Sequence, residues 1–235
     1  MIKKLLLIAC MSGFAMFSYA QFQVGHMTKT FNDPSRTGGF GSGGGPGRQI
    51  QTEIYYPATT AGDNVPVALG EHPVIVFGHG FAMSWDAYSN IWQHYASKGY
   101  ILAFPRTESG LFPGPNHSDF GLDLKLVGER MLAENGVTAS LLFQKVKNAV
   151  VIMGHSMGGM LATRFALLFP EKTEKLVLEN PIGLEDYRAF VPYVNTQQQY
   201  QTELKTTAAS VKKYYQNSYF TEWRPDYDEL VRIAG

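Results

Sequence analysis

The sequence predicts an α/β fold, a mostly parallel sheet covered on both faces by helices. Three observations predict it. Short unbroken apolar runs alternate with stretches in which apolar residues recur every three or four positions. Glycine or proline closes nearly every run. The order is strand, helix, strand, helix, and each crossover helix returns the chain to the same end of one sheet.

Residues 37–47, TGGFGSGGGPG, hold regular structure poorly, because glycine carries the largest backbone entropy cost. No Lys-Ser/Thr pair follows, which excludes a P-loop and leaves a surface loop as the expectation. Ile50 to Tyr56 alternates and stops at Pro57, a strand. Val74 to Phe77 is a continuous apolar run closed by Gly78, a strand buried on both faces. Tyr88, Ile91, Trp92, Tyr95 and Ala96 fall at helical spacing until Gly99. Ile101 to Phe104 is the next strand, ended by Pro105. Phe120, Leu124, Val127 and Met131 mark a helix. Ala149 to Met153 is the most hydrophobic strand, and Met157, Met160, Leu161, Phe165 and Leu168 mark the helix after it, ended by Pro170. Leu176 to Leu178 is one more strand. Ligands of such sheets bind at the carboxyl ends of the strands, so the loops beginning at Gly78, Pro105, Gly154 and Glu179 are expected along one edge.

From Gly183 onward the pattern is helical. Tyr200, Leu204, Ala208, Val211 and Tyr215 predict one long amphipathic helix, and Pro225 to Ile233 another. Residues 21–182 are thus expected as the α/β core and 183–235 as a helical cap-like segment. Its aromatic residues Tyr193, Tyr200, Tyr214, Tyr215 and Trp223 suit either ordinary packing or an apolar acyl or aromatic ligand.

The chain has 235 residues, 45% hydrophobic and 17% charged, which fits one large globular domain and not a disordered chain. Twenty basic residues balance twenty acidic ones, so no strong field favours nucleic acid. At the N-terminus, Lys3-Lys4, an apolar core from Leu5 to Phe17, and Ser18-Tyr19-Ala20 predict a signal peptide cleaved after residue 20 and a secreted or periplasmic protein. The run is too short for a stable membrane span. Leu7-Ile8-Ala9-Cys10 offers a lipoprotein box as the alternative. Cleavage after residue 20 removes Cys10, the only cysteine, leaving no disulfide, thiol nucleophile or thiolate metal site.

Chemistry concentrates in Gly154-His155-Ser156-Met157-Gly158. This G-x-S-x-G directly follows a buried strand and opens an amphipathic helix, the context of a nucleophile elbow. Glycines flank a turn too tight for side chains, and the serine is lifted above the sheet near a helix N-terminus that favours negative charge. An acyl-transfer site needs two N–H donors for the tetrahedral oxyanion. Met157, after the serine, is expected to supply one. Phe81, in the Gly78-His79-Gly80-Phe81 loop, is expected to supply the other, with the His79 ring bracing that loop.

The segments VIVFGHGF (74–81) and VIMGHSMGGM (151–160), with the strand–helix order between them, resemble the α/β-hydrolase superfamily. GRQIQTEIYYPA (47–58) and HPVIVFGHGF are similar to secreted members near the chlorophyllase, dienelactone hydrolase and platelet-activating-factor acetylhydrolase branches. MGGMLATRFALLFPEKTEKLVLENPIGLEDY (157–187) resembles cap-bearing esterases and carbon–carbon bond hydrolases. The resemblance implies an eight-stranded, mostly parallel sheet and a triad in the order serine, acid, histidine. It implies hydrolysis of a small-molecule ester or acyl substrate, with no cofactor and no metal.

The sequence departs from that pattern. Its six histidines are His26, His72, His79, His94, His117 and His155, and none follows Ser156. One strand and a helical segment remain after the serine, so the last two strands and the histidine loop that the resemblance implies are expected to be missing. His117 paired with Asp119, with Asp123 also nearby in sequence, is one candidate for a relocated base, in a PGPNHSD loop. His155 is expected to point away. Glu179 after the last strand and Asp186 in the cap are the acid candidates. An exposed edge at Leu176–Leu178 predicts self-association. Two functions stay open: a serine esterase impaired by the absent base, and a non-catalytic module binding a small apolar ligand. A fragment with no function is a third possibility.

Overall fold

The computed structural model describes residues 21–40, 47–109, 114–186, 189 and 191–234. The expected signal peptide, Cys10 included, and most of the glycine run lie outside the described residues. The described residues up to Leu184 form one compact unit, and those from Glu185 onward a second.

The first unit is built on one sheet. Its strands are β1 (Gln23–Asp33), β2 (Gly39–Phe40), β3 (Arg48–Ala58), β4 (Gly62–Asp63), β5 (His72–Gly78), β6 (Ile101–Pro105), β7 (Val146–His155) and β8 (Lys175–Glu179). Their order is β4-β1-β3-β6-β5-β7-β8, with β2 paired to β3. The run β6-β5-β7-β8 is parallel, as the strand–helix alternation predicts. β1 with β4 and β2 with β3 are parallel as well, and both antiparallel strand pairings involve β3, so the sheet is mostly parallel as expected. β1 and β3 pair antiparallel over their full lengths, from Gln23 opposite Ala58 to Asp33 opposite Arg48, and β3 is antiparallel to β6. The antiparallel direction carries the start of β3, Arg48, to the edge where the parallel strands end.

Helices α1 (Ser89–Ser97), α2 (His117–Ala133) and α3 (Met157–Leu168) cover the sheet. Successive strand residues point to opposite faces, so each central strand feeds two cores. Val74, Val76, Ala103, Val150 and Ile152 pack with Phe120, Leu124, Val127 and Met131 of α2 and with Leu161 and Phe165 of α3. Ile75, Phe77, Leu102, Phe104, Val151 and Met153 pack with Tyr55, Tyr88 and Ala96 on the α1 face. This double burial is why the strands read as unbroken apolar runs. β8, at the end of the order, is half exposed, with Leu176 and Leu178 each 36% accessible.

α2 begins at His117, which corrects the expected loop position of that histidine. The Asn116 side chain accepts from the Ser118 and Asp119 amides at 3.0 and 3.2 Å, capping donors that lack intrahelical partners.

In the second unit, α4 (Thr196–Glu203) and α5 (Ala208–Ser218) replace the single helix expected across Tyr200 to Tyr215, and α6 (Asp228–Ala234) follows. The break has a local cause. Thr207 and Ser210 form a reciprocal capping box that starts a new helix at Ala208. No strand follows Glu179 among the described residues. Tyr193, Tyr200 and Tyr214 are exposed; the Tyr214 and Tyr215 rings meet Tyr219, and Trp223 meets Phe220 and Tyr227.

Candidate active site

The parallel register brings the strand ends together. Gly78 of β5 pairs with Gly154 of β7, and His155 with Glu179 of β8. Ser156 occupies the junction between β7 and α3 at φ 52°, ψ −117°, a conformation that L-residues seldom adopt. Four hydrogen bonds hold it there. Its amide donates to Glu179 O at 3.1 Å, and its carbonyl accepts from Gly159 N at 3.0 Å, Met160 N at 3.3 Å and Ile182 N at 3.1 Å. Strain of this kind persists only where the surroundings over-determine it.

Two glycines are sterically required at this turn. A Cβ on Gly154 would lie 2.2 Å from Gly158 O, and one on Gly158 would lie 2.1 Å from Gly78 O. The first turn of α3 therefore rests directly on the loop that follows β5. Met157 is the first residue of α3, and first-turn amides of a helix have no intrahelical acceptor.

The loop after β5 is fixed by its own bonds. His79, 3% exposed, stacks on Phe120 at 4.5 Å and turns both ring nitrogens to carbonyl oxygens. Nδ1 faces Gly80 O at 2.8 Å and Nε2 faces Thr107 O. A neutral ring carries one N–H and donates to one of these at a time. Gly80 O also accepts from Met83 N at 3.2 Å. The Gly80–Phe81 peptide is planar, so fixing its carbonyl fixes the Phe81 N–H on the opposite side. Neither Phe81 N–H nor Met157 N–H has an acceptor among the described residues. The Phe81 side chain is half exposed, so this position is defined by its backbone. A cleft of about 300 Å³ opens beside the loop, lined by His79, Met83, Trp85, Arg106 and Thr107 among others.

Thr107 ties this loop to a buried ionic cluster that the sequence reading missed. The Arg48 guanidinium donates to both oxygens of Asp123 (2.7–3.0 Å) and to Glu108 Oε1 at 2.7 Å. Arg36 meets the same Asp123 at 2.7 Å, and the Thr107 hydroxyl donates to it. Asp123 is fully buried and Arg48 is 4% exposed. The two carboxylates beside Arg48 raise its already high pKa, so the cation persists despite burial. Glu108 sits at φ 45°, held by Arg48 and by the Asn116 amide at 2.7 Å. These partners lie far apart in sequence, and only the antiparallel course of β3 joins them.

The remaining candidates disperse. The Asp119 carboxylate accepts from Asn116 Nδ2 at 2.9 Å and faces Arg36, with no hydrogen bond to His117. His117 lines a groove between α2 and α3 with Leu161 and Arg164. His155 Nδ1 lies 3.0 Å from the Tyr88 hydroxyl. Glu179 Oε2 is buried and has no hydrogen-bond partner among the described residues. Asp186 belongs to the second unit. No cluster of metal-ligating side chains occurs among the described residues, and no helix there is long and apolar enough to cross a membrane.

Comparison with known proteins gives this arrangement a family. The chlorophyllase family profile matches residues 50–205, running through both halves that resemble different branches. Chlorophyllase-1 of Arabidopsis thaliana is 33% identical over 106 residues, 43% of this chain and 31% of that protein. Chlorophyllase-2 of the same plant is 30% identical over 123 residues, 51% of this chain and 37% of that protein. The matched stretch thus spans about a third of the length of these curated relatives. Among solved structures, a probable hydrolytic enzyme from Pseudomonas aeruginosa PAO1 superposes with a TM-score of 0.52 at 26% identity, covering 88% of this chain and 59% of that one. A ferulic acid esterase from Streptomyces cinnamoneus shares the fold, with a TM-score of 0.50 at 18% identity over 81% of this chain and 70% of that one. On its sheet, its helices and the length of the profile match, the chain belongs to the chlorophyllase family of the α/β-hydrolase superfamily.

Proposed function

We propose that this chain is a serine hydrolase of carboxylic esters, with Ser156 as nucleophile and the Phe81 and Met157 amides as oxyanion donors. The observation that carries the reading is the backbone of Ser156, held at φ 52° over the strand end where the fixed Gly80–Phe81 peptide lies. Ser156 Oγ attacks the ester carbonyl carbon, and charge moves to the carbonyl oxygen. Pre-oriented amides stabilise that charge without reorganising, and the positive end of α3 adds to the effect. The family membership and the hydrolase fold support the same chemistry.

The proton of Ser156 needs a base. Among the described residues, no histidine nitrogen bonds the Ser156 side chain. The His26 ring lies between Glu53 and Asp63, His72 Nδ1 faces Gly99 O, and His79 and His155 are engaged as above. General-base assistance contributes about 10²–10⁴-fold, so turnover with this set of histidines is expected to be slow while the serine stays open to covalent capture. The test is labelling with a fluorophosphonate, alongside hydrolysis of a p-nitrophenyl ester. Labelling at Ser156 that Ser156→Ala abolishes is the expected result, and labelling that survives the substitution sinks the reading. The engaged histidines favour a second reading, a non-catalytic module. No labelling together with binding of an apolar ester would select it.

We further propose export through residues 1–20, which N-terminal sequencing of the secreted chain tests. The curated citrus relatives are described as chloroplastic, a property of those proteins.

A further inference from the structure

The α1 face of the sheet holds one side chain that touches both halves of the candidate site. Tyr88 is 4% exposed, and its ring packs on Phe77 at 4.5 Å. Its hydroxyl accepts the Gly80 amide at 2.8 Å, lies 3.0 Å from His155 Nδ1 and lies 3.1 Å from Met83 Sδ. Gly80 belongs to the oxyanion loop and His155 immediately precedes Ser156.

We propose that Tyr88 is a positioning residue whose hydroxyl ties the Gly80 N–H, and with it the backbone leading into Phe81, to the Ser156 turn. The proton count supports the assignment. The Gly80 N–H occupies one lone pair of the phenol oxygen, which leaves the O–H to donate to His155 Nδ1 or, more weakly, to Met83 sulfur. Donation to Nδ1 places the His155 proton on Nε2. Burial raises the phenol pKa, and the nearby Glu179 carboxylate raises it further, so Tyr88 stays a donor and does not serve as a base. The contact is tight: a Cβ on Gly80 would lie 2.9 Å from both His155 Nδ1 and Met83 Sδ. With His79 fixing the carbonyl of Gly80 and Tyr88 fixing its amide, both ends of that residue are held. Only the second tie crosses to the serine turn.

The kinetic arm of this inference rests on the serine-hydrolase reading; the structural arm does not. Tyr88→Phe keeps the ring and removes only the hydroxyl. In the full chain, the variant is expected to lower the fluorophosphonate inactivation rate constant by about tenfold or more with the inhibitor's KI unchanged, since small displacements of reacting groups cost that much. Hydrogen exchange of the 79–83 amides should quicken while exchange in α2 stays as in the parent. If Tyr88→Phe labels at the parental rate, or if 79–83 exchange is unchanged, the proposal is overturned. If the parent itself is not labelled, the nucleophile assignment fails and the exchange result alone decides on Tyr88. Should Tyr88→Phe not fold, His155→Ala removes the partner on the serine side. It should quicken exchange at Gly80, and unchanged exchange there overturns the proposal.

Discussion

The two units of the chain solve the burial problem differently. In the first, both faces of each central strand are sealed, and its buried polar residues include the Arg48–Asp123–Thr107 cluster and His79. In the second, Val231 is the only described hydrophobic residue that is buried. That unit is held by ring pairs such as Phe220 on Tyr227 at 4.3 Å and by surface ion pairs such as Lys212 with Asp228. The lesson is that a strained turn such as Ser156 can be held in the first unit, where many contacts converge, and not in a segment whose contacts are exposed.

Substitutions can break or sharpen this contrast. Asp123→Ala should cost about 3–5 kcal/mol in urea unfolding, because it leaves the Arg48 cation buried without its main partner. Phe120→Ala should cost about as much, roughly 3–5 kcal/mol, from the cavity beneath His79. Gly154→Ala should cost about 1–3 kcal/mol, because the turn must shift to admit the methyl group, and it should abolish labelling of Ser156. Acid should act next. Ser35 and Arg36 hold the Asp33 pKa at about 2 against an ordinary 3.8. A depressed folded pKa gives stability that is complete above 3.8 and is lost as pH falls toward 2. Asp33→Asn should flatten the loss of stability across that window. The smallest effect belongs to the second unit: Tyr193→Ala, at a residue 91% exposed, should change stability by no more than about 0.5 kcal/mol.

Much of the parallel sheet was readable because double burial leaves unbroken apolar runs, as in Val74–Phe77. The glycines at 154 and 158 were readable because the turn admits no side chain. β1 was not, since Thr28, Lys29 and Thr30 stand in a row and Lys29 interrupts the buried face that Met27 and Phe31 share. With β1 unrecognised and the antiparallel direction of β3 unforeseen, nothing placed Arg48 near Asp123. Tyr88 read as one more apolar position of a helical stripe, and periodicity does not register what a hydroxyl touches. The division of α4 from α5 was signalled by Thr207 three residues before Ser210, a pattern that the longer apolar spacing masked.

The ties from Ser156 to Glu179 O and from Ile182 N to Ser156 O have a consequence for how such a chain can vary. Loops are usually where insertions accumulate at little cost. Here the segment after β8 is part of the frame of the serine turn. Its length is set by two hydrogen bonds spanning residues 179–182. Sequence can be added beyond Gly183 without disturbing that turn, while a single residue inserted between Glu179 and Ile182 would move one anchor relative to the other. Variation in chain length should therefore begin after this four-residue clasp and not within it.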